Sequence, residues 1–385
     1  MPAMHLLLPP ALACLLLIAA LGPAEVHAAP DISQKAYDTA MALNDAGQYA
    51  AAEKATRALV AACTQELGAE ARRTLRARHL LAMVIIKRGR AAEAETQLHE
   101  LLPIMARVAG ADQHETLLFQ NSLFAAMTEQ GKYAEAEKGF RRLISATARA
   151  LGPEHADTLW ARYNLAFDLH QFGRNKEVVK ECRALQAIST RVLGAGHKLT
   201  LQTEIILAAT LGDLNKSAEA EALLRGALPD IAQAFGKEHR TTLVARYNFI
   251  EQLDDQGKNA EAETECRRLI PVDSRVLGPK DRDTLKVRWR LAQSLRKQGK
   301  AAEAEMENRQ VLALRERTLG TLDPDTLLSC FSLAKCLDIQ GKAAAALPYA
   351  QRALAGRIQV LGKDHPATLA TQRLVDELKK KDAKA

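Results

Sequence analysis

Aromatic residues make up only 4% of this 385-residue chain, prolines number 13, and cysteines number six, of which only Cys330 and Cys336 are near in sequence. Scarce aromatics and few β-branched runs leave little from which to build a sheet. No Gly-rich phosphate loop, His-Glu-x-x-His, Gly-x-Ser-x-Gly or paired Cys-x-x-Cys is present, so catalysis has no residues to rest on. The expectation is a chain that is not an enzyme, with no cofactor and no metal site. The apolar content, 48%, is carried mainly by Ala and Leu, the composition of close-packed helices.

What fills the chain instead is a 42-residue step. Gly47, Gly89, Gly131, Gly173, Gly257, Gly299 and Gly341 keep it, with Asn215 in the one gap. Thr74, Thr116, Thr158, Thr200, Thr242, Thr284, Thr326 and Thr368 keep it too, each followed by Leu. Two markers holding one spacing over eight copies define an array of a single repeated unit. An array has one core that lengthens with each copy, and its function lies in what it grips.

Each copy reads as helix, tight turn, helix, loop. In the fourth, Asp157 or Thr158 is placed to cap a helix on which Leu159, Leu165, Ala166 and Leu169 share a face. Gly173 ends that helix because Gly, or Asn as at Asn215, enters the left-handed conformation cheaply. The second helix opens on small and acidic residues, as in Ala134-Glu135-Ala136-Glu137. Early Glu suits the positive helix pole, and Ala lets two helices approach closely. Pro103, Pro229 and Pro271 share one position inside the second helix, with Pro348 earlier in the last copy, and a bend is expected at each.

Cys182 and Cys266 are two repeats apart and Phe140 fills their slot in another copy, which marks a buried apolar position. His155, His197, His239 and His365 recur at one loop position. Packed helices lie roughly 8 to 10 Å apart, so loops a whole repeat apart cannot converge on a metal. A loop-closing hydrogen bond to the next helix start is the expectation.

Residues 1–28 read as a signal peptide: an apolar run from Leu12 to Leu21, then Val26-His27-Ala28 before the cleavage point. The run is short of the about 20 apolar residues that a membrane span needs, so no transmembrane span is expected in the mature form. The expectation is export, periplasmic or secreted. Cleavage removes Glu25 and no Lys or Arg, taking the net charge from +7 to +8. That charge favours acidic partners, but it is interleaved with 46 acidic residues, and nucleic acid is not expected.

Leu151-Gly152-Pro153-Glu154-His155-Ala156-Asp157-Thr158-Leu159 and Leu361-Gly362-Lys363-Asp364-His365-Pro366-Ala367-Thr368-Leu369 carry a family resemblance. The arrangement resembles tetratricopeptide repeats, and the 42-residue form is similar to the repeats of kinesin light chain and its bacterial relatives. It covers roughly residues 32 to 378. The fifth copy departs by lacking the turn Gly, and the fourth by Lys176-Glu177-Val178-Val179 in place of the Ala-Glu pattern. The resemblance implies an all-α, right-handed superhelical solenoid of tandem helix-turn-helix units: eight helix pairs over residues 29–365, then a C-terminal capping helix and basic tail over 366–385.

In such a solenoid the first helices make the inner wall. The resemblance then points the residues ten before each turn into a groove: His79, Asn121, Tyr163, Ile205, Tyr247, Trp289 and Phe331. The next position holds Asn164, Asn248 and Arg290, where family members place an Asn that clamps a peptide main chain, and Arg76 lies nearby. Tyr163, Asn164, Tyr247, Asn248, Trp289, Arg290, Phe331, His79 and Arg76 are therefore the candidate peptide-binding set, suited to an extended acidic segment. The alternative is that the aromatics pack between neighbouring first helices. The functional expectation is a non-catalytic protein-binding scaffold whose partner the sequence does not name. Its rival is an envelope structural protein that self-associates or binds anionic polymer.

Overall fold

A computed structural model describes residues 32–383. The signal-peptide expectation for residues 1–28 lies outside the described residues. Within them the chain is all-α, with no strand. The first four helix pairs are α1 (Ile32–Asp45) and α2 (Tyr49–Leu67), α3 (Arg72–Lys87) and α4 (Ala91–Ala109), α5 (His114–Glu129) and α6 (Tyr133–Ala150), α7 (Ala156–Gln171) and α8 (Asn175–Leu193). The next four are α9 (Lys198–Asp213) and α10 (Ser217–Phe235), α11 (Arg240–Asp255) and α12 (Asn259–Val276), α13 (Arg282–Lys297) and α14 (Ala301–Thr318), α15 (Pro324–Ile339) and α16 (Ala343–Leu361). A last helix, α17, spans Pro366–Asp382.

The described residues divide into two compact units, one of 32–214 with 229–241 and the other of 215–228 with 242–383. Within each unit consecutive helices pack together. First helices also meet one another, α3 with α5, α5 with α7 and α7 with α9 in one unit, α13 with α15 in the other. Within each unit the first helices thus form a layer of their own.

The markers of the 42-residue step each have a physical task. Gly173 sits at φ 76° between α7 and α8, and Asn215 at φ 59° is the one non-Gly residue in that region among those described. The threonines close the loops that join copies. Thr158 Oγ1 donates to the Gly152 carbonyl at 2.8 Å, and Thr116, Thr200 and Thr284 donate likewise to Gly110, Gly194 and Gly278 at 2.7, 3.0 and 2.9 Å.

Capping falls to a different residue than expected. In α7 the cap is His155, whose Nδ1 accepts from the Asp157 backbone N–H at 3.2 Å, while Thr158 is already inside the first turn with its hydroxyl turned back to the loop. His197, His239 and His365 accept from the N–H two residues on in the same way, at 3.2, 3.2 and 3.1 Å. This is the loop-closing bond expected of those histidines. Asp281 and Asp323 stand at the same repeat position and cap α13 and α15 with a carboxylate oxygen, at 2.8 Å each.

The small residues of the second helix let it close on its neighbours: Ala52, Ala94, Ala136, Ala220, Ala262, Ala304 and Ala346, one per copy, are all fully buried. In the fourth copy Val178 takes that slot and is buried too. Leu98, Phe140, Cys182, Leu224 and Cys266 share a second buried slot, as the Phe and Cys exchange required. Burying a Leu or Phe there contributes about 1.5–3 kcal/mol. Burial raises the Cys182 and Cys266 thiols well above their ordinary range, which keeps them unreactive. The helices α4, α10 and α12 continue through Pro103, Pro229 and Pro271, and α16 through Pro348.

A carboxylate ladder staples copy to copy. Glu263 on α12 accepts from Gln298 Nε2 at 2.8 Å and Lys300 Nζ at 2.7 Å, both on the next copy's turn. Glu95 does the same with Gln130 and Lys132 (2.6 and 2.7 Å), Glu305 with Gln340 and Lys342 (2.9 and 3.1 Å) and Glu221 with Gln256 and Lys258. Glu53 and Glu137 receive arginines, Glu53 from Arg88 and Arg90 and Glu137 from Arg174. Val179 occupies the carboxylate's place in the fourth copy, and the fifth turn opens with Leu214 where later turns have Gln. In this register the carboxylate and the Gln are both replaced by apolar residues, while Lys216 keeps the place of the lysine.

Candidate functional site

The first helices of the two units hold every candidate residue, and burial sorts them. Tyr163 is 1% exposed and meets Trp160 edge-on, ring centroids 5.5 Å apart. Asn164 is fully buried and donates through Nδ2 to Asn121 Oδ1 on the preceding first helix at 2.8 Å. His79 stacks on Phe119 at 4.2 Å and shares a 2.8 Å hydrogen bond with Ser122. Burial, with Arg76 nearby, lowers the His79 pKa to about 3, so the ring is neutral.

Tyr247 is buried and donates to Glu251 at 3.1 Å. Arg290, 8% exposed, pairs with Glu251 and, at 3.2 Å, with Asp254, which Lys297 also reaches at 3.0 Å. Burial opposes the Arg290 charge, but Tyr247, Glu251 and Asp254 outweigh it and hold the guanidinium protonated. In this structure His79, Tyr163, Asn164, Tyr247, Asn248 and Arg290 are therefore buried and not open to a groove, as in the alternative the sequence had left standing. Their spacing matched a groove because the packing of first helix on first helix repeats with the same period.

Three candidates keep exposed surface. Trp289 donates Nε1–H to Ser332 at 2.9 Å and lies under Arg290 at 5.1 Å. Phe331 sits below the Arg357 guanidinium at 4.8 Å. Arg76 lies over the Tyr37 ring at 5.9 Å, on a small hollow lined also by His79, His114, Glu115, Leu118 and Phe119.

Beside the candidate Asn248 stands a set of buried carboxamides, Gln202, Gln252 and Gln293, that the sequence reading missed. Gln202 on α9 is 1% exposed and neither its Nε2 nor its Oε1 has a partner. On α11, Asn248 and Gln252 are fully buried with both amide atoms unpartnered, and Gln293 Nε2 on α13 is in the same condition. Asn248 and Gln252, four apart, share one helix face. Their signal was available: a lone Gln in the apolar run Leu199-Thr200-Leu201-Gln202-Thr203, and Glu251-Gln252 amid Phe249, Ile250 and Leu253. Among the described residues no group of three or more His, Cys, Asp or Glu is placed to hold a metal, and no helix is long and apolar enough to cross a membrane.

Two family models for the tetratricopeptide repeat match the chain, one over residues 123–180 and 283–359 and the other over 74–115 and 206–241. Solved structures are similar in fold. A Rap protein complexed with competence and sporulation factor aligns with TM-score 0.55 and 15% identity over 91% of this chain and 99% of its own. NprR in complex with its cognate peptide NprX gives 0.51 and 13% over 91% and 100%, and BtubC (BKLC) from P. vanneervenii 0.51 and 14% over 60% and 92%. No curated protein matches the sequence.

Proposed function

Because this chain is a tetratricopeptide-repeat protein, we propose that it is a non-catalytic scaffold that holds an extended, acidic peptide segment against its layer of first helices. The observation that carries this reading is the pair Asn248 and Gln252, buried with donor and acceptor both unpaired. Leaving such a group unsatisfied costs about 1–3 kcal/mol. A carboxamide offers one donor and one acceptor in a plane, the complement of a peptide unit, and an extended main chain presents those units in series. The Rap structure, complexed with competence and sporulation factor, and the NprR structure, in complex with its cognate peptide, lend support by fold. Acidic preference is read from the net charge of +7.

The test is fluorescence anisotropy with a library of acidic, neutral and basic 12-residue peptides, repeated with Asn248→Leu and Gln252→Leu. Sequence-selective binding that weakens at least tenfold in both variants supports the reading. Salt-sensitive binding to polyanions of any sequence, unchanged in the variants, supports instead an envelope protein that binds anionic polymer. The same reading places the protein outside the cytoplasm, on the strength of the apolar run Leu12 to Leu21. Sequencing the N-terminus of the protein from its native host decides that point: a chain starting near Ala29 supports export, and an intact Met1 defeats it.

A further inference from the structure

In the unit of residues 215–228 and 242–383 the first helices are tied, near their C-terminal ends, by ion pairs between positions 43 apart. Lys297 on α13 meets Asp254 on α11 at 3.0 Å, and Lys381 on α17 meets Asp338 on α15 at 2.6 Å. The rung between these two is built differently. Arg296 on α13 stands at the repeat position of Asp254 and Asp338, and Ile339 on α15, 54% exposed, stands at that of Lys297 and Lys381. A cation has replaced the anion, and an apolar chain has replaced the cation.

A second cation stands beside the first. Trp289 Nε1 donates to Ser332 Oγ at 2.9 Å and fixes the register of α13 on α15. One turn further along each helix come Gln293 and Lys335, and Arg296 follows Gln293 by another turn. The offset from Arg296 to Lys335 is 39, the offset at which Glu251 of α11 meets Arg290 of α13, so the two cations share one seam. Gln293 Oε1 accepts from Arg296 Nε at 3.4 Å, the one side-chain hydrogen bond of that arginine, and Lys335 Nζ lies 5.5 Å over the Phe331 ring. Gln293 is 8% exposed, and its Nε2 has no partner. Neither cation forms an ion pair with a described carboxylate. Asp254 and Asp338 are taken by Lys297 and Lys381, Glu251 by Arg290, and Glu377, which holds the place of Lys335 on α17, makes no ion pair with it. The Cys336 sulfur, also at this seam, accepts from Asn308 at 3.2 Å. Burial, with Arg296 and Lys297 nearby, lowers the Lys335 pKa, the effect of like charges without a counter-ion.

We propose that Arg296, Lys335 and Gln293 form a binding site for a doubly charged oxyanion, a phosphoryl or sulfate group, beside Trp289 and Phe331, which keep exposed surface. Charge decides the class of ligand. One carboxylate leaves a cation unmatched, whereas a dianion matches both. The guanidinium offers parallel N–H donors to two oxygens, and the ammonium sets a point charge against a third. Free phosphate and a phosphorylated residue of the peptide segment proposed above present the same group. The site is independent of that reading, and its use by a peptide rests on it.

The test uses the full chain at constant ionic strength. Inorganic phosphate is expected to raise the thermal midpoint saturably, and acetate to leave it unchanged. Fluorescence anisotropy is then read for one 12-residue peptide in three forms, with phosphoserine, Glu or Ser at its centre. The phosphoserine form is expected to bind at least tenfold more tightly than the Glu form. Arg296→Gln and Lys335→Gln are each expected to weaken phosphate and the phosphopeptide at least tenfold, and Lys363→Gln, at an exposed loop lysine, to change neither. Arg296→Asp combined with Ile339→Lys restores the ladder of the neighbouring rungs, so it is expected to melt no lower than the wild type while losing the anion. Phosphate that fails to bind, or that binds the wild type and the variants alike, overturns the site. Equal affinity for the Glu and phosphoserine forms overturns the dianion assignment. Phosphate binding that needs both cations, with no peptide form bound, supports the site and removes the peptide reading. A peptide that binds through Asn248 and Gln252, indifferent to phosphate and to both cations, does the reverse.

Discussion

Thr158 donates its hydroxyl to the carbonyl of Gly152 at 2.8 Å, so two invariants of the repeat are the ends of one hydrogen bond. Gly152 at φ 106° turns that carbonyl toward the incoming helix, and the threonine closes the loop behind it. The bond fixes where each copy begins.

Thr158→Val keeps the shape and removes the donor. It is expected to lower stability by about 1 kcal/mol in urea unfolding. Thr326 and Thr368, at the same repeat position, are buried with hydroxyls that have no partner. Thr326→Val is therefore expected to be neutral or stabilising. Equal losses at 158 and 326 contradict the assignment.

Glu263 gives a pH signature. Hydrogen bonds from Lys300, Gln298 and Arg267 outweigh burial and lower its carboxyl to about 2. A carboxyl depressed in the folded state contributes stability that is present above its ordinary range near 4.5 and lost as pH falls through about 2. Glu263→Gln is expected to be less stable than the wild type by on the order of 1 kcal/mol at pH 7, since the cations it pairs with are half exposed. The two curves of unfolding free energy against pH are expected to meet near pH 2.

Asp273 behaves in the opposite sense. Burial first, then the nearby Asp283 and Asp281, raise its carboxyl to about 7 against the pull of Arg246, and its Oδ1 has no partner. The folded state binds that proton more tightly, so the stability it contributes is full below the ordinary carboxylate range and declines as pH rises through about 7. Asp273→Asn is expected to gain 1 kcal/mol or more at pH 8 and nothing at pH 4, as roughly 1.4 kcal/mol accompanies each pKa unit. A thermal melt series across that range decides it.

Helical glycines divide by what surrounds them. A Cβ at Gly139 falls 2.4 Å from the Phe124 ring, and one at Gly356 falls 2.4 Å from Leu327 Cδ2, whereas Gly226 has nothing within 4 Å. Gly139→Ala and Gly356→Ala are expected to cost about 1–3 kcal/mol through overpacking. Gly226→Ala is expected to gain about 0.5–1 kcal/mol from the stiffer backbone. Denaturant midpoints of the three variants, compared at constant slope, are the check.

Repetition made the fold legible. A turn that needs positive φ selects Gly or Asn, and a loop closed by one hydroxyl selects Thr, so local stereochemistry was printed every 42 residues. The loop-closing bond of the histidines was readable for the same reason, although the cap itself was expected of Asp157 or Thr158. The state of the first-helix layer was not, because whether Tyr163 or Tyr247 meets solvent is set by how tightly successive copies curl, a sum of small rotations that no residue records. Gln202 and Gln252 escaped notice because neither falls on the two repeat positions, ten and nine before each turn, from which the candidates were drawn.

The carboxylate ladder has a consequence for chain length. Since Glu263 and Glu305 each meet the same Gln and Lys, excising the 42 residues between them hands the later donors, Gln340 and Lys342, an acceptor of identical chemistry. Growth or loss by whole modules therefore demands no compensating substitution, whereas an insertion of one or two residues strands an anion and two donors at once. A lineage carrying this protein is free to count in units of 42 and in no other.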